Sequence, residues 1–347
     1  MAPMTPPDST TRDHPVPAGL PEAPPGAGPT LTLLLRELGR RWPDELPDVD
    51  GVSRHALLPP GKLLRPLLVV ESASAVGGDP EKVLAAALGL EYLHVGSLVH
   101  DDVIDGDAVR RGRPTVTARY GTPEAIVAGD SLIIGAFAAV AEETDLPAER
   151  LLAAVRCVSR AGVDLCRGEA LEAELCGDAG CGMDRYLRMI ALKTGALFRG
   201  ACGTGVLLGG GTAQQERAAT GFAEHLGLAY QMADDLLPHT SDVTASGKSA
   251  LSDVANGRPT FPVLMAHRLA GPAGRRRLEA ALLPGTPAAE AHETVRELLE
   301  TTGALKAARE RARGEAASAE ACLAELPPSR SRDVLAGVAR RSVDRDR

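Results

Sequence analysis

The chain has 347 residues and a formal net charge of −8, with 44% hydrophobic but only 3% aromatic residues. That length suggests one large domain or two ordinary ones. An aliphatic core of Ala, Leu and Val favours helices, and the net acidity excludes a nucleic-acid binder that works through general positive charge.

Residues 1–28, "MAPMTPPDSTTRDHPVPAGLPEAPPGAG", are rich in Pro, Gly, Ser and Thr. They cannot bury enough apolar surface to order themselves and read as a disordered tail. Residues 29–347 then form a single all-helical domain. Helices are predicted at 31–42, at 62–77 before a Gly-Gly stop, at 80–105 behind Pro80, and at 122–143. Others follow at 148–175, 184–210 and 214–237, with three or four more between 259 and 321. No alternating strand pattern occurs, and loops are short except at 238–258. No short-period repeat points to a solenoid. The expected fold class is therefore all-α, a bundle of ten or more helices.

Six cysteines lie scattered without a C-x-x-C pair and read as small buried hydrophobes in a reducing cytoplasm. No run of about 18 apolar residues predicts a transmembrane helix, and no apolar N-terminal segment predicts a signal peptide. A cytoplasmic location is expected.

The chemistry concentrates in "SLVHDDVIDGDAVRRGRPT", residues 97–115. Asp101, Asp102 and Asp105 form D-D-x-x-D at the end of the third predicted helix. Residues i and i+4 share a helix face, so Asp101 and Asp105 point the same way. Two carboxylates at the negative end of a helix dipole require a compensating cation. Paired hard oxygens suit Mg²⁺, which completes its shell with water and phosphate oxygens. Arg110 and Arg111 follow, and the guanidinium fork suits phosphate. A second acidic pair, Asp234 and Asp235 in "LAYQMADDLL", ends another long apolar helix. Two such ends can face each other across a cavity. "ALKTGALF" places Lys193 in the middle of an apolar helix, which is costly unless it meets an anion. Lys248 lies in the loop after the second pair. Lys62 and Arg65 lie three apart on one face, and His94 lies two turns before Asp101.

This constellation resembles the trans-isoprenyl diphosphate synthases, the polyprenyl synthetase family, from about Leu31 to Leu269. Its pieces run in the family's order: G-K-x-x-R-P, E-x-x-H, D-D-x-x-D, R-R-G-x-P-T, K-T-G, Y-Q-x-x-D-D, G-K and G-R-P-T-x-P. The resemblance implies an isoprenoid-synthase-type bundle of antiparallel helices around a central cavity, and a homodimer. It implies that Asp101, Asp102 and Asp105 hold Mg²⁺ on an allylic diphosphate, with Asp234 and Asp235 holding further Mg²⁺ opposite, two or three ions in all. Arg110, Lys193 and Lys248 would grip the allylic diphosphate. Lys62, Arg65, His94 and Arg111 would bind isopentenyl diphosphate. Thr194 and Gln231 would face the forming cation. The implied reaction is head-to-tail condensation, which lengthens the allylic diphosphate by one isoprene unit.

Chain length is read along the third helix, where the growing tail would run away from Asp101. Gly96 and Ser97, one turn up, are small. Tyr92 and Leu93 lie a further turn up, and a turn of about 5.4 Å approximates one isoprene unit. Tyr92 is thus the expected floor, and geranylgeranyl diphosphate the expected product.

Several positions depart from the family. Pro238 stands where the second acidic motif would carry a third aspartate, with Asp242 or Asp235 as substitutes. Leu63 replaces a paired arginine, and "GEALE" with Glu169 and Glu172 replaces G-Q-x-x-D. Two alternatives arise: a terpene cyclase or unusual prenyltransferase of the same fold, and a non-catalytic regulatory subunit. The retained Lys62, Arg65, His94 and Arg111 speak against the first, and the retained acids with Lys193 against the second.

Overall fold

The computed structural model describes residues 23–142, 146–239, 253, 254 and 256–344, and helices account for nearly all of the regular structure. In chain order they are α1 (Gly28–Arg41), α2 (Asp48–Leu57), α3 (Leu64–Ala75) and α4 (Leu84–Asp105). A small antiparallel hairpin follows, β1 (Val109–Arg110) paired with β2 (Arg113–Pro114). Next come α5 (Val116–Tyr120), α6 (Thr122–Ala141), α7 (Ala148–Leu175), α8 (Met183–Lys193), α9 (Gly195–Leu208) and α10 (Ala213–Leu236). The C-terminal part adds α11 (Phe261–Leu269), α12 (Pro272–Ala281), α13 (Ala288–Thr302), α14 (Ala304–Cys322) and α15 (Arg330–Val343).

Local chemistry sets the long helices that matter for the site. α4 runs through an Ala/Leu-rich segment and stops where Gly106 adopts φ +67°. Left-handed backbone costs glycine nothing, which makes it the usual C-terminal stop. α10 starts at a reciprocal cap in which Thr212 accepts from the Gln215 N–H and Gln215 accepts from the Thr212 N–H. This satisfies two donors that the first turn leaves unpaired. A large aliphatic core joins α1, α3, α4, α7, α9, α10, α14 and α15. A second cluster gathers α8 with α11 to α14, around Tyr186, Phe261 and Met232.

Four expectations are corrected. Residues 23–28 belong to the fold: Ala27 is buried, Arg330 donates to the Gly26 carbonyl, and Arg341 donates to that of Ala23. Helices α2 and α15 form outside the predicted set. Each has an apolar stripe too sparse to read alone and is held by tertiary packing, α15 through buried Val334, Leu335 and Val338. Of the cysteines, Cys202 is buried but Cys166 and Cys176 are exposed. Finally, Glu81–Asp105 and Thr122–Ala141 are long and apolar enough to cross a membrane, although the first is 78% buried inside the protein. That degree of enclosure marks it as a core helix.

Candidate active site

A cleft of about 490 Å³ opens where α7, α8 and α10 meet the segment before α11. Lys62, Glu172, Lys193, Thr194, Gln231, Asp234, Asp235, Pro238, Asp253 and Arg258 line it. Its geometry begins at a break in a predicted helix. The sequence reads as one helix over 184–210, but the chain divides it at Thr194, between α8 and α9. Two neighbouring helices press their backbones against this corner. A β-carbon on Gly168 of α7 would lie 2.3 Å from the Lys193 nitrogen, and one on Gly227 of α10 would lie 2.7 Å from the Gly195 α-carbon. Only glycine permits that approach.

The close approach sets the partners of Lys193. It ends α8 rather than lying mid-helix, and its Nζ donates to Glu169 at 2.8 Å and to Glu172 at 2.5 Å. Burial works against its charge, yet Glu172 and Glu169 outweigh it and hold the ammonium at a pKa of about 12. The departure "GEALE" thus supplies the anions that the lone lysine required.

On the facing wall, the Thr194 hydroxyl donates to Gln231 Oε1 at 2.7 Å, and Gln231 Nε2 donates to Asp235 at 2.9 Å. Asp235 also accepts from the Tyr186 hydroxyl at 2.7 Å and from the Phe261 N–H at 2.8 Å. Burial raises its pKa to about 6 against these three donors. The expected role of Asp235 as a metal ligand is corrected: three protein donors engage its carboxylate, and it ties α8, α10 and α11 together. Asp234 lines the cleft beside it. Gln231 Oε1, expected to face a cation, accepts from Thr194 here.

The D-D-x-x-D carboxylates separate by helical phase. Asp102 is 3% exposed and accepts from Arg110 Nε at 2.6 Å. Asp102 is thus engaged by Arg110, whereas it was expected to act together with Asp101 and Asp105. Burial raises the Asp101 carboxyl, with Lys193 and Arg110 pulling it down. Asp105 accepts from Arg258 Nη2 at 3.1 Å on both oxygens, and Arg258 reaches Asp253 at 3.7 Å. The ends of α4 and α10 therefore meet the same cleft.

The basic set gathers beside it. Arg65 lies over the Phe198 ring at 5.2 Å. Glu91, 3% exposed, is its principal counter-charge, and Asp234 also acts on it. Burial, then Arg65 and Arg111, push the His94 imidazole well below its ordinary pKa, so it is neutral. Lys248 and Asp242 lie outside the described residues.

The chain-length expectation is corrected. Nine residues at 100° each place Tyr92 about 180° around α4 from Asp101. Its hydroxyl accepts from Trp42 Nε1 at 2.9 Å, and its ring packs edge-on to Trp42 at 5.6 Å. Gly96 faces α6, where a β-carbon would lie 2.8 Å from the Gly129 carbonyl oxygen. Ser97 donates to the His94 carbonyl. Leu93 packs towards Gly162 of α7 and Leu90 towards Gly200 of α9.

Sequence reasoning assigned no role to Glu91, Arg258 and Asp253, although the first two stood inside the motifs E-x-x-H and G-R-P-T-x-P and the third lies five residues after Lys248. No sequence signal marked Tyr186. Among the described residues no group of three His, Cys, Asp or Glu converges as a ready metal cage. Separated hard carboxylates fit a cation that fills its shell from water and a phosphorylated ligand, as Mg²⁺ does.

A family model described as polyprenyl synthetase matches residues 47–301. The short chain isoprenyl diphosphate synthase of Methanothermobacter thermautotrophicus is 35% identical over 85% of this chain and 89% of its own. The geranylgeranyl pyrophosphate synthetase structure from Pyrococcus horikoshii aligns with a TM-score of 0.83 at 32% identity, over 92% of this chain and 97% of that one. A polyprenyl synthase from Caulobacter crescentus, complexed with calcium and isoprenyl diphosphate, aligns with a TM-score of 0.83 at 28% identity, over 94% and 100%.

Proposed function

The chain belongs to the polyprenyl synthetase family, and from that premise we propose that this prenyltransferase condenses isopentenyl diphosphate with an allylic diphosphate, head to tail and trans, with Mg²⁺, to give geranylgeranyl diphosphate. The observation that carries the reading is the meeting of two acidic helix ends and Lys193 around one cleft, with Arg65, His94 and Arg111 beside it.

Asp101, Asp105 and Asp234 would hold the metal, which when bound neutralises the departing diphosphate. Lys193 and Arg258 carry positive charge to the same place. Each is paired with carboxylates that orient it. Arg65 and Arg111 offer guanidinium donors to the second diphosphate, and neutral His94 offers an N–H. The aliphatic wall along α4 excludes water from the allylic cation. The tail runs past Ser97 towards Leu93 and Leu90, not Tyr92. Leu90 lies eleven residues from Asp101, about 16 Å at 1.5 Å per residue, or about three isoprene units of one helical turn each. Closure there suits a fifteen-carbon starter and a twenty-carbon product.

A homodimer fits the apolar surface. Ile126, Val127 and Ile134 on α6, and Leu152 and Val163 on α7, are exposed. Exposed apolar side chains on these two helices support that reading.

Purified protein incubated with Mg²⁺, radiolabelled isopentenyl diphosphate and allylic starters of ten and fifteen carbons tests the reading. Label is expected in a twenty-carbon allylic diphosphate. Unlabelled cyclic hydrocarbon from the allylic substrate alone would establish a cyclase instead. Absence of any product until another subunit is added would establish a regulatory partner.

A further inference from the structure

The hairpin that presents Arg110 and Arg111 has two residues in each strand. Arg111 and Gly112 both adopt left-handed backbone, at φ +52° and +72°. A two-residue hairpin loop takes positive φ at both central positions, where glycine is favoured and arginine less so. Where this short hairpin sits is set by what contacts it from outside.

That support comes from α2 and the segment after it. His55 of α2 contacts the hairpin and the following helix at three points: Nε2 with the Pro114 carbonyl at 3.0 Å, Nδ1 with Arg113 Nη2 at 3.1 Å, and Nδ1 with Arg119 Nη1 at 3.1 Å. Guanidinium groups only donate, so Nδ1 must supply the lone pair and Nε2 must carry the hydrogen. The tautomer follows from the partners. Arg113 also donates to the Leu58 carbonyl. The His55 ring packs edge-on to Tyr120 at 5.4 Å, and Arg119 lies over that same ring at 5.1 Å. The far side of the hairpin is fixed by Arg110 donating to Asp102, and Arg111 lies against Gly61, where a β-carbon would stand 2.6 Å from a guanidinium nitrogen. Of the residues that secure the loop, His55 bonds both its carbonyl edge and the side chain of Arg113.

We propose that His55, as the neutral Nε2–H tautomer, is a positioning residue that sets where Arg110 and Arg111 meet diphosphate. The inference rests on the elongase reading above. His55 itself touches no substrate; it acts through the hairpin. Loss of its three bonds leaves the hairpin free to shift and Arg111 free to withdraw its fork.

The test is steady-state kinetics and thermal melting of the full chain with His55→Phe, which keeps the ring against Tyr120 but removes every hydrogen bond. A misplaced binding group weakens substrate affinity more than turnover. The KM for isopentenyl diphosphate is expected to rise about tenfold, with kcat within about threefold of wild type and His55→Gln recovering part of the loss. Should His55→Phe fail to fold, His55→Leu takes the same reading. Variants that melt lower but keep KM within about twofold of wild type would overturn the proposal and leave His55 a purely structural residue. Wild-type protein that elongates nothing would defeat the elongase reading instead, so the two failures are distinguishable.

Discussion

Arg258 Nη2 bonds both carboxylate oxygens of Asp105 at 3.1 Å, across 153 residues of sequence. Burial opposes the charge of Arg258, but Glu172 and Asp105 raise its pKa above the ordinary value. The contact joins the end of α4 to the chain entering α11. Removing the guanidinium as Arg258→Met leaves Asp105 without that partner and the cleft without one cation. A loss of about 10²-fold in kcat/KM is expected. Arg258→Lys is expected to fall between, because an ammonium is a point charge without a fork. Kinetics with both substrates varied would check this.

Gly168→Ala probes the corner at Lys193. The added methyl would meet backbone 2.3 Å away, which no side-chain rotation relieves. Overpacking of this kind costs about 1–3 kcal/mol, and Lys193 would shift from Glu169 and Glu172. Urea denaturation should register the stability loss, together with a kcat loss out of proportion to it.

Product length separates two faces of α4. Leu93→Ala and Leu90→Ala are expected to lengthen the product by one or more isoprene units. Tyr92→Ala is expected to destabilise the fold by about 3 kcal/mol through lost packing on Trp42 and to leave the product unchanged. Chromatography of radiolabelled products reads all three variants.

Metal dependence should appear only with substrate. No three-ligand cage stands ready among the described residues. Mg²⁺ alone is therefore expected to leave the melting temperature unshifted, whereas Mg²⁺ with diphosphate raises it by mass action. A chelator should abolish turnover and added Mg²⁺ restore it. Calorimetric melts with each addition made separately check the order.

Acid stability carries a histidine signature. Burial, with His292 nearby, lowers the His239 pKa from 6.5 to about 4. As the pH falls below 6.5 the unfolded chain binds the proton first, so stability present above that value is lost down to about 4. The loss from this group between pH 7.5 and 5 is about 2 kcal/mol. Carboxyls raised by burial, such as Glu91 and Asp235, oppose the trend. The readout is therefore the difference between wild type and His239→Asn, with the variant losing less. Equal losses in paired urea titrations would refute the assignment.

Helices with a continuous aliphatic stripe, such as α4, α7 and α10, were legible in sequence because periodicity and composition agree there. α2 and α15 were not, because their stripes are short and form only against other helices. The split at Thr194 was hidden as well: "ALKTGALF" is uninterrupted helix to any local rule, and the break comes from the backbones of α7 and α10. The acids, Lys193 and the arginines were legible as residue types. Which way each one faces was legible only in part, as Tyr92, Gly96 and Asp102 illustrate.

By itself the sequence determined that this chain is an all-helical protein with two acidic helix ends and a set of cations for anionic ligands, since charge, spacing and helical period are local properties. Tertiary structure decided which carboxylates meet the cleft, that Lys193 is bound by Glu169 and Glu172, that Asp235 anchors a wall, and that His55 braces the arginine hairpin. Those outcomes depend on how closely two backbones approach and on which partner fills each buried hydrogen bond, and neither is encoded within a single stretch of chain.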